Sequence, residues 1–164
     1  QGTCGLEIEK QVKDVDTVII ACGGGGLLTG TGGYLKTGNP DINVIGVSPE
    51  NSPIMYESVR QGEMIEMAFT QTLADTCAGG VDLDTITFEL CQKYVDEMAL
   101  VSEEEIKNGI KILFEQHRLI TEGSAALSVA YLIKNKEKLE GKNVVLVVCG
   151  KNIGIELFKS IINS

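Results

Sequence analysis

The sequence has little of what several functional classes require. It contains one histidine, His117, and its five cysteines include no CxxC pair, so a zinc site of the usual ligand spacing cannot form locally. We therefore expect no metal. The 14 Lys and Arg residues are outnumbered by 23 Asp and Glu, and the net charge is −9. Nucleic acids and anionic membranes bind basic surfaces, so we expect neither as a partner.

Long apolar runs are also missing. No stretch reaches the roughly 20 apolar residues of a membrane-spanning helix, and the amino terminus lacks a basic segment followed by a hydrophobic one. The odd number of scattered cysteines favours a reducing compartment. These absences predict a cytoplasmic protein. With 164 residues, 43% of them apolar, the chain can bury one core, and we expect a single domain over residues 1–164.

Short β-branched runs alternate with segments of helical spacing. Strands are predicted at 16–21, 43–47 and 143–148, and helices at 2–13, 27–36, 53–61, 85–96, 102–116 and 122–135, with a last short helix at the end of the chain. Ser102 and Glu105 form a capping box, and Asp84 is the expected cap of the helix that starts at 85. The pattern predicts an α/β fold with a mostly parallel open sheet and helices on both faces.

Four consecutive glycines, Gly23, Gly24, Gly25 and Gly26, lie between the first predicted strand and its helix. Successive backbone N–H groups without side chains, at the positive end of a helix dipole, suit an anion such as a phosphate. The run lacks the Lys-Ser/Thr ending of a P-loop. The alternative is that these glycines form only a tight turn.

A second glycine-containing strand end, Cys149-Gly150, follows the strand at 143–148. In open α/β sheets, ligands collect at the carboxyl ends of the strands, so the segments 22–26 and 149–152 are expected to flank one crevice. Cys149 alone would equally suit a small buried apolar residue. The segment 70–81, with Gly79-Gly80, is predicted to be a loop of the kind that faces ligands.

Several ordered motifs resemble one enzyme family over nearly the whole chain. They are GGGGLLTG at 23–30, TLAD at 72–75, LVSEEEI at 100–106, TEGSAA at 121–126 and VVCGKNI at 147–153. On these motifs the chain resembles the carboxyl-terminal half of the fold-type II pyridoxal-phosphate enzymes, most closely catabolic threonine dehydratases and serine racemases. The resemblance implies part of the large, cofactor-binding domain of a tryptophan-synthase-β-like fold, without a regulatory domain.

The resemblance also implies roles for individual residues. Gly23 to Gly26 would hold the phosphate of pyridoxal 5′-phosphate, Glu122 would lie near its ring, and Cys149 would face the pyridine nitrogen, where the family usually has serine. A thiol or hydroxyl is a poorer proton source than a carboxylic acid, so the ring nitrogen need not be protonated. Expulsion of a β-leaving group from the substrate is then favoured.

Two departures from the family pattern limit these assignments. Thr76 stands where the family usually has glycine, and its side chain could crowd the cofactor. The carboxylates of the cation site of serine racemases would fall at Ser48 and Ile54, which cannot supply an anionic oxygen. The resemblance therefore favours a dehydratase over a racemase.

The Schiff-base lysine of the family has no counterpart here, so no catalytic residue is assigned to this chain. Lys151 lies near the expected ring site, but its family position is a loop glycine. We assign no catalysis to His117, which closes a helix, or to the triplet Glu103-Glu104-Glu105, which begins one.

The expected activity of the intact enzyme is conversion of L-threonine or L-serine to a 2-oxo acid and ammonia. The expected partners are a small amino-acid substrate and either a second copy of the chain or the missing amino-terminal half. A racemase and a non-catalytic, phosphate-binding half-protein remain as alternatives.

Overall fold

Four parallel strands form one open sheet in the computed structural model, which describes residues 1–164. The strands are β1 (Thr17–Ala21), β2 (Asn43–Pro49), β3 (Glu97–Val101) and β4 (Val144–Leu146), in the order β3-β2-β1-β4. Every neighbouring pair is parallel. All five residues of β1 are buried, because this apolar strand lies inside the sheet and is covered on both faces. The predicted fold class is confirmed.

Helices cover both faces of the sheet. One layer contains α1 (Gly2–Gln11), α2 (Gly26–Gly38), α3 (Ile54–Gln61) and α4 (Ile86–Tyr94), and the other contains α5 (Glu103–His117), α6 (Gly123–Lys134) and α7 (Ile155–Ile162). Successive side chains of β1 point to opposite faces of the sheet, so Val18 and Ile20 pack against the first layer and Ile19 packs against the second. None of these helices combines the length and the apolar character needed to cross a membrane.

The helix starts follow the local sequence, with one correction. The predicted capping box is present: the Glu105 N–H donates to Ser102 Oγ over 3.3 Å, and the Ser102 N–H donates to Glu105 Oε2 over 2.8 Å. Asp84, however, is not the cap of α4. Thr85 is the capping residue, because its backbone is extended and its hydroxyl accepts the N–H of Thr87.

Strand β3 was not predicted from the sequence, and the predicted helix at 85–96 ends at Tyr94. The residues of β3, Glu97–Val101, are apolar except for Glu97 and are mostly half-buried. The segment is short and has one β-branched residue, so spacing alone does not separate it from the end of the preceding helix. Pairing with β2 makes it a strand. At the opposite edge, β4 is regular over three residues only and pairs with β1 alone.

Candidate active site

The carboxyl ends of β1 and β4 open into one cavity. The two strands are hydrogen-bonded neighbours, so the loops that follow them meet at the same edge of the sheet. The cavity has a volume of about 230 Å³, and its polar wall combines the glycine run with Thr76, Glu122, Ser124 and Cys149. Residues from both predicted strand ends and from the start of α6 are thereby brought together.

The glycine run presents free backbone N–H groups at the start of α2. Gly26 is the first residue of that helix, so the run precedes the first intrahelical donor. None of its four amides donates a turn, loop or capping hydrogen bond to a backbone carbonyl oxygen. At Gly24 and Gly26 the space that a Cβ would occupy is open, whereas a Cβ at Gly23 would lie 2.9 Å from Cα of Cys77.

This arrangement fits an anion held by the backbone. Gly25 has a φ of +82°, a conformation that glycine adopts without strain, and it turns the chain from β1 into the helix. No lysine or arginine lines the cavity. A bound anionic group would therefore be held by the amides and by the positive end of the α2 dipole, and the phosphate of pyridoxal phosphate has this chemistry.

Glu122 is buried beside the glycine run, with only 7% of its surface exposed. It is the residue that precedes α6, and its side chain does not cap that helix. Each carboxylate oxygen instead accepts one hydrogen bond of 2.9 Å, Oε1 from the Thr76 hydroxyl and Oε2 from the Asn152 N–H. The Glu122 N–H donates to the carbonyl oxygen of Gly150 over 3.4 Å. The carboxylate is held in one orientation at the cavity wall.

Cys149 is half-buried and lines the same cavity. Burial raises the pKa of its thiol, and the negative charge of Glu122 raises that pKa further. The side chain is consequently a neutral thiol at physiological pH. A neutral thiol is a weak donor and a weak acceptor of hydrogen bonds, so it can contact a ring nitrogen without supplying a positive charge.

Thr76 forms part of the cavity wall and does not stand apart from the site. It lies in a single 3₁₀ turn, Asp75–Cys77, within the segment predicted to be a loop. Its hydroxyl oxygen is 2.9 Å from Oε1 of Glu122 and 2.6 Å from Oγ of Ser124. The neighbouring Cys77 thiol also lines the cavity, and burial is the main cause that raises its pKa to about 11.

Small residues at the start of α6 allow this turn to pack closely. A Cβ at Gly123 would lie 2.1 Å from the carbonyl oxygen of Leu73, so only glycine fits there. The sequence predicted a close backbone approach at this end of α6. The backbone that approaches it is that of the segment 73–74. Ser124 and Cys77 were not predicted as site residues, and Asn152 was predicted only as part of the segment 149–152 that flanks the crevice. The motifs that contain Ser124 and Asn152 were the available signal.

Other candidate residues lie elsewhere. Lys151 is exposed and does not line the cavity. The Ser48 hydroxyl donates to the carbonyl oxygen of Cys22 over 2.7 Å, and Ile54 is buried. His117 ends α5 beside a separate apolar groove. In the acidic triplet, Glu103 accepts the Leu73 N–H and Glu105 completes the capping box.

Comparisons with known proteins show which proteins this chain is similar to. The chain is 44% identical over 163 residues to the L-threonine ammonia-lyase of Thermotoga maritima, which covers 99% of this chain and 40% of that protein. The processed form of threonine deaminase isoform 2 from Solanum lycopersicum superposes with a TM-score of 0.91 at 32% identity, over 99% of this chain and 48% of that one. Serine racemase from Dictyostelium discoideum superposes with a TM-score of 0.84 at 33% identity, over 94% and 49%.

The family of this chain is shown by a match to a family model. The model of the pyridoxal-phosphate dependent enzyme family matches residues 1–150. The chain spans less than half the length of the relatives named above, so the match concerns a part of their sequences. The predicted resemblance and the predicted cofactor are confirmed at the level of the family: this chain belongs to the pyridoxal-phosphate dependent enzymes.

Proposed function

We propose that this chain carries the cofactor phosphate and ring sites of a pyridoxal-phosphate-dependent dehydratase that acts on L-threonine or L-serine. The observation behind this proposal is one cavity lined by Gly23–Gly26, whose amides are free, and by Glu122 and Cys149. The named relatives include a threonine ammonia-lyase and a threonine deaminase, which supports the choice of reaction.

In this proposal the glycine run binds the cofactor phosphate. Its amides are unpaired within the protein and point from the start of a 13-residue helix, so a dianionic group gains several hydrogen bonds without displacing any. The absence of lysine and arginine from the wall leaves backbone amides as the donors. The phosphate would thereby fix the position of the whole cofactor.

Glu122 and Cys149 are proposed to position the ring. When bound, pyridoxal phosphate stabilises the negative charge that develops on the amino acid after loss of its α-proton. A neutral thiol at the ring nitrogen would leave that nitrogen unprotonated, so less of the charge would move into the ring. More charge would remain next to the β-carbon, which favours loss of the β-hydroxyl group.

The lysine that holds the cofactor covalently is proposed to lie outside these 164 residues. No lysine lines the cavity, and Lys151 is exposed. Residues 1–164 would then be the carboxyl-terminal part of the large cofactor-binding domain, and the isolated chain would not turn over substrate. The missing lysine would come from the covalently joined or separately encoded amino-terminal half.

We also propose that the chain associates, either with a second copy of itself or with that amino-terminal half. Strand β4 pairs on one side only, and the apolar residues Leu119, Ile120 and Val148 are between 37% and 49% exposed. Their burial would favour association. The five free cysteines support the proposal that the protein works in the reducing cytoplasm.

A racemase is the second candidate, supported by the likeness to the Dictyostelium enzyme. The side chains at Ser48 and Ile54 weigh against it, because neither offers the carboxylate that the resemblance places there. Product analysis separates the two reactions, since dehydration releases a 2-oxo acid and ammonia while racemisation returns D-serine.

The test uses the full open reading frame that encodes this chain, with any sequence on either side of it. The purified product is assayed with L-threonine and L-serine for 2-oxo acid, ammonia and the chirality of recovered serine. The proposal predicts equal amounts of 2-oxo acid and ammonia. Accumulation of D-serine as the main product would establish the racemase, and saturable cofactor binding without any turnover would favour a non-catalytic half-protein.

A further inference from the structure

We infer that Thr76 is a positioning residue that holds the Glu122 carboxylate in place against the cofactor ring, an inference that rests on the function proposed above. The resemblance described above implies that the family usually has glycine at this position. The hydroxyl of Thr76 is therefore a feature that this protein adds to the site.

The carboxylate of Glu122 has one donor for each oxygen. The Thr76 hydroxyl serves Oε1, and the Asn152 N–H serves Oε2, both over 2.9 Å. Asn152 donates from the backbone, so that contact persists whatever side chain stands there. Thr76 is the side-chain donor to this carboxylate, and without its hydroxyl Oε1 would lose that partner in a largely buried setting.

Ser124 completes the arrangement from the other side of Thr76. The two hydroxyl oxygens are 2.6 Å apart. Thr76 Oγ1 is the donor both to Glu122 Oε1 and to Ser124 Oγ, and its single proton favours the carboxylate because that acceptor is charged. Ser124 is buried in the first turn of α6, whose close contact at Gly123 with Leu73 fixes it relative to the turn that carries Thr76.

The network joins residues that are 46 positions apart, one in the 3₁₀ turn and one at the start of α6. A glycine at position 76 would leave the turn without this link. Because Glu122 lies beside Cys149 and its charge raises the pKa of that thiol, a change in the position of the carboxylate should be detectable at Cys149 even without cofactor. This provides a readout that a purely structural role for Thr76 would not move.

The experiment compares Thr76→Val, which keeps the shape but removes the hydroxyl, with Thr76→Ser, which keeps the hydroxyl. Glu122→Gln is the reference for loss of the charge. The first measurement, without cofactor, follows alkylation of Cys149 against pH by peptide-resolved mass spectrometry. The second is the dissociation constant and absorption maximum of bound pyridoxal phosphate. Thermal unfolding identifies any variant that does not fold, and Thr76→Gly replaces Thr76→Val in that case.

We expect Thr76→Val to lower the midpoint pH of Cys149 alkylation in the same direction as Glu122→Gln, by roughly half a pH unit. It should also weaken cofactor binding by up to about tenfold, because Glu122 would no longer be held against the ring, and shift the absorption maximum. Thr76→Ser should match the wild type in all three measurements.

The inference is overturned if Thr76→Val leaves both the Cys149 midpoint and the bound-cofactor spectrum unchanged while Glu122→Gln moves them. It is also overturned if Thr76→Ser is as defective as Thr76→Val. Failure of the proposed function has a different signature, since the wild-type chain would then show no saturable cofactor binding. The cofactor-free thiol measurement would still decide the role of Thr76.

Discussion

Gly150 and Glu122 approach each other so closely that no side chain fits between them. A Cβ built on Gly150 would lie 2.5 Å from Cδ of Glu122, and the glycine has a φ of +105°. The loop after β4 and the start of α6 therefore depend on each other. This contact places the Glu122 carboxylate at the wall of the cavity, next to the loop that follows β4.

Replacing Gly150 with alanine should destabilise the chain and displace Glu122. The new methyl group would collide with the carboxylate, and the positive φ is strained for alanine, so we expect a loss of roughly 1–3 kcal/mol, measured by urea unfolding. Gly154→Ala is the matched control, because a Cβ there has no neighbour within 4 Å and its φ is −63°. Equal stability of the two variants would contradict the contact.

Gly25 should be far less replaceable than Gly24, although both belong to the same run. Gly25 has a φ of +82°, and its Cβ would lie 3.2 Å from both Sγ of Cys91 and Cβ of Thr87, whereas a Cβ at Gly24 meets nothing within 4 Å. Gly25→Ala should lower the free energy of unfolding by about 1 kcal/mol or more relative to Gly24→Ala. The order of the two midpoints in urea decides the matter, and the reverse order would refute this conformation of the loop.

The buried thiol of Cys77 should make stability fall at alkaline pH. Its pKa is raised from 9.0 to about 11, so the folded chain holds this proton more tightly than the unfolded chain. Stability is then fully present below about pH 9 and declines as the pH rises from 9 towards 11. Because other groups also titrate in this window, the informative quantity is the difference from Cys77→Ser.

That comparison is made by urea unfolding at intervals between pH 8 and 10.5. The difference in unfolding free energy between the wild type and Cys77→Ser should shrink with pH, in favour of the variant. A difference that does not depend on pH would show that Cys77 titrates normally in the folded chain.

The isolated chain should self-associate through the apolar surface near β4. Leu119→Glu introduces a charge into that surface and should shift the chain towards monomer, as measured by light scattering after gel filtration. Ile86→Glu is the control, since Ile86 is 70% exposed on α4 in the opposite layer. A monomeric wild type, or an equal response to both substitutions, would argue against this surface.

The residues that the sequence identified at strand ends are the ones that meet in the structure. Gly23–Gly26 and Cys149 follow apolar strands, and parallel strands place their carboxyl ends at one edge, so their proximity was predictable. Glu122 came from the resemblance, because its own surroundings in the sequence indicate only a helix start. Their roles as cofactor contacts remain predictions.

Other features depend on tertiary contacts that spacing does not encode. The hydrogen bond between Thr76 and Glu122 joins two segments whose packing is set by Gly123 against Leu73, and the sequence suggested only that Thr76 could crowd the site. Strand β3 is specified by pairing with β2 rather than by a pattern of its own. The cap of α4 is Thr85 and not the predicted Asp84, because the choice between adjacent capping residues depends on backbone angles.

The most direct test of the account is a titration of the purified chain with pyridoxal phosphate, followed by borohydride reduction and intact-mass analysis. We predict saturable binding with one cofactor per chain and no reduced adduct, because the glycine run would hold the phosphate and no lysine lines the cavity. The absence of saturable binding would contradict the cofactor site itself. A specific one-to-one adduct would place the cofactor-holding lysine within these 164 residues, with Lys151 as the first position to examine.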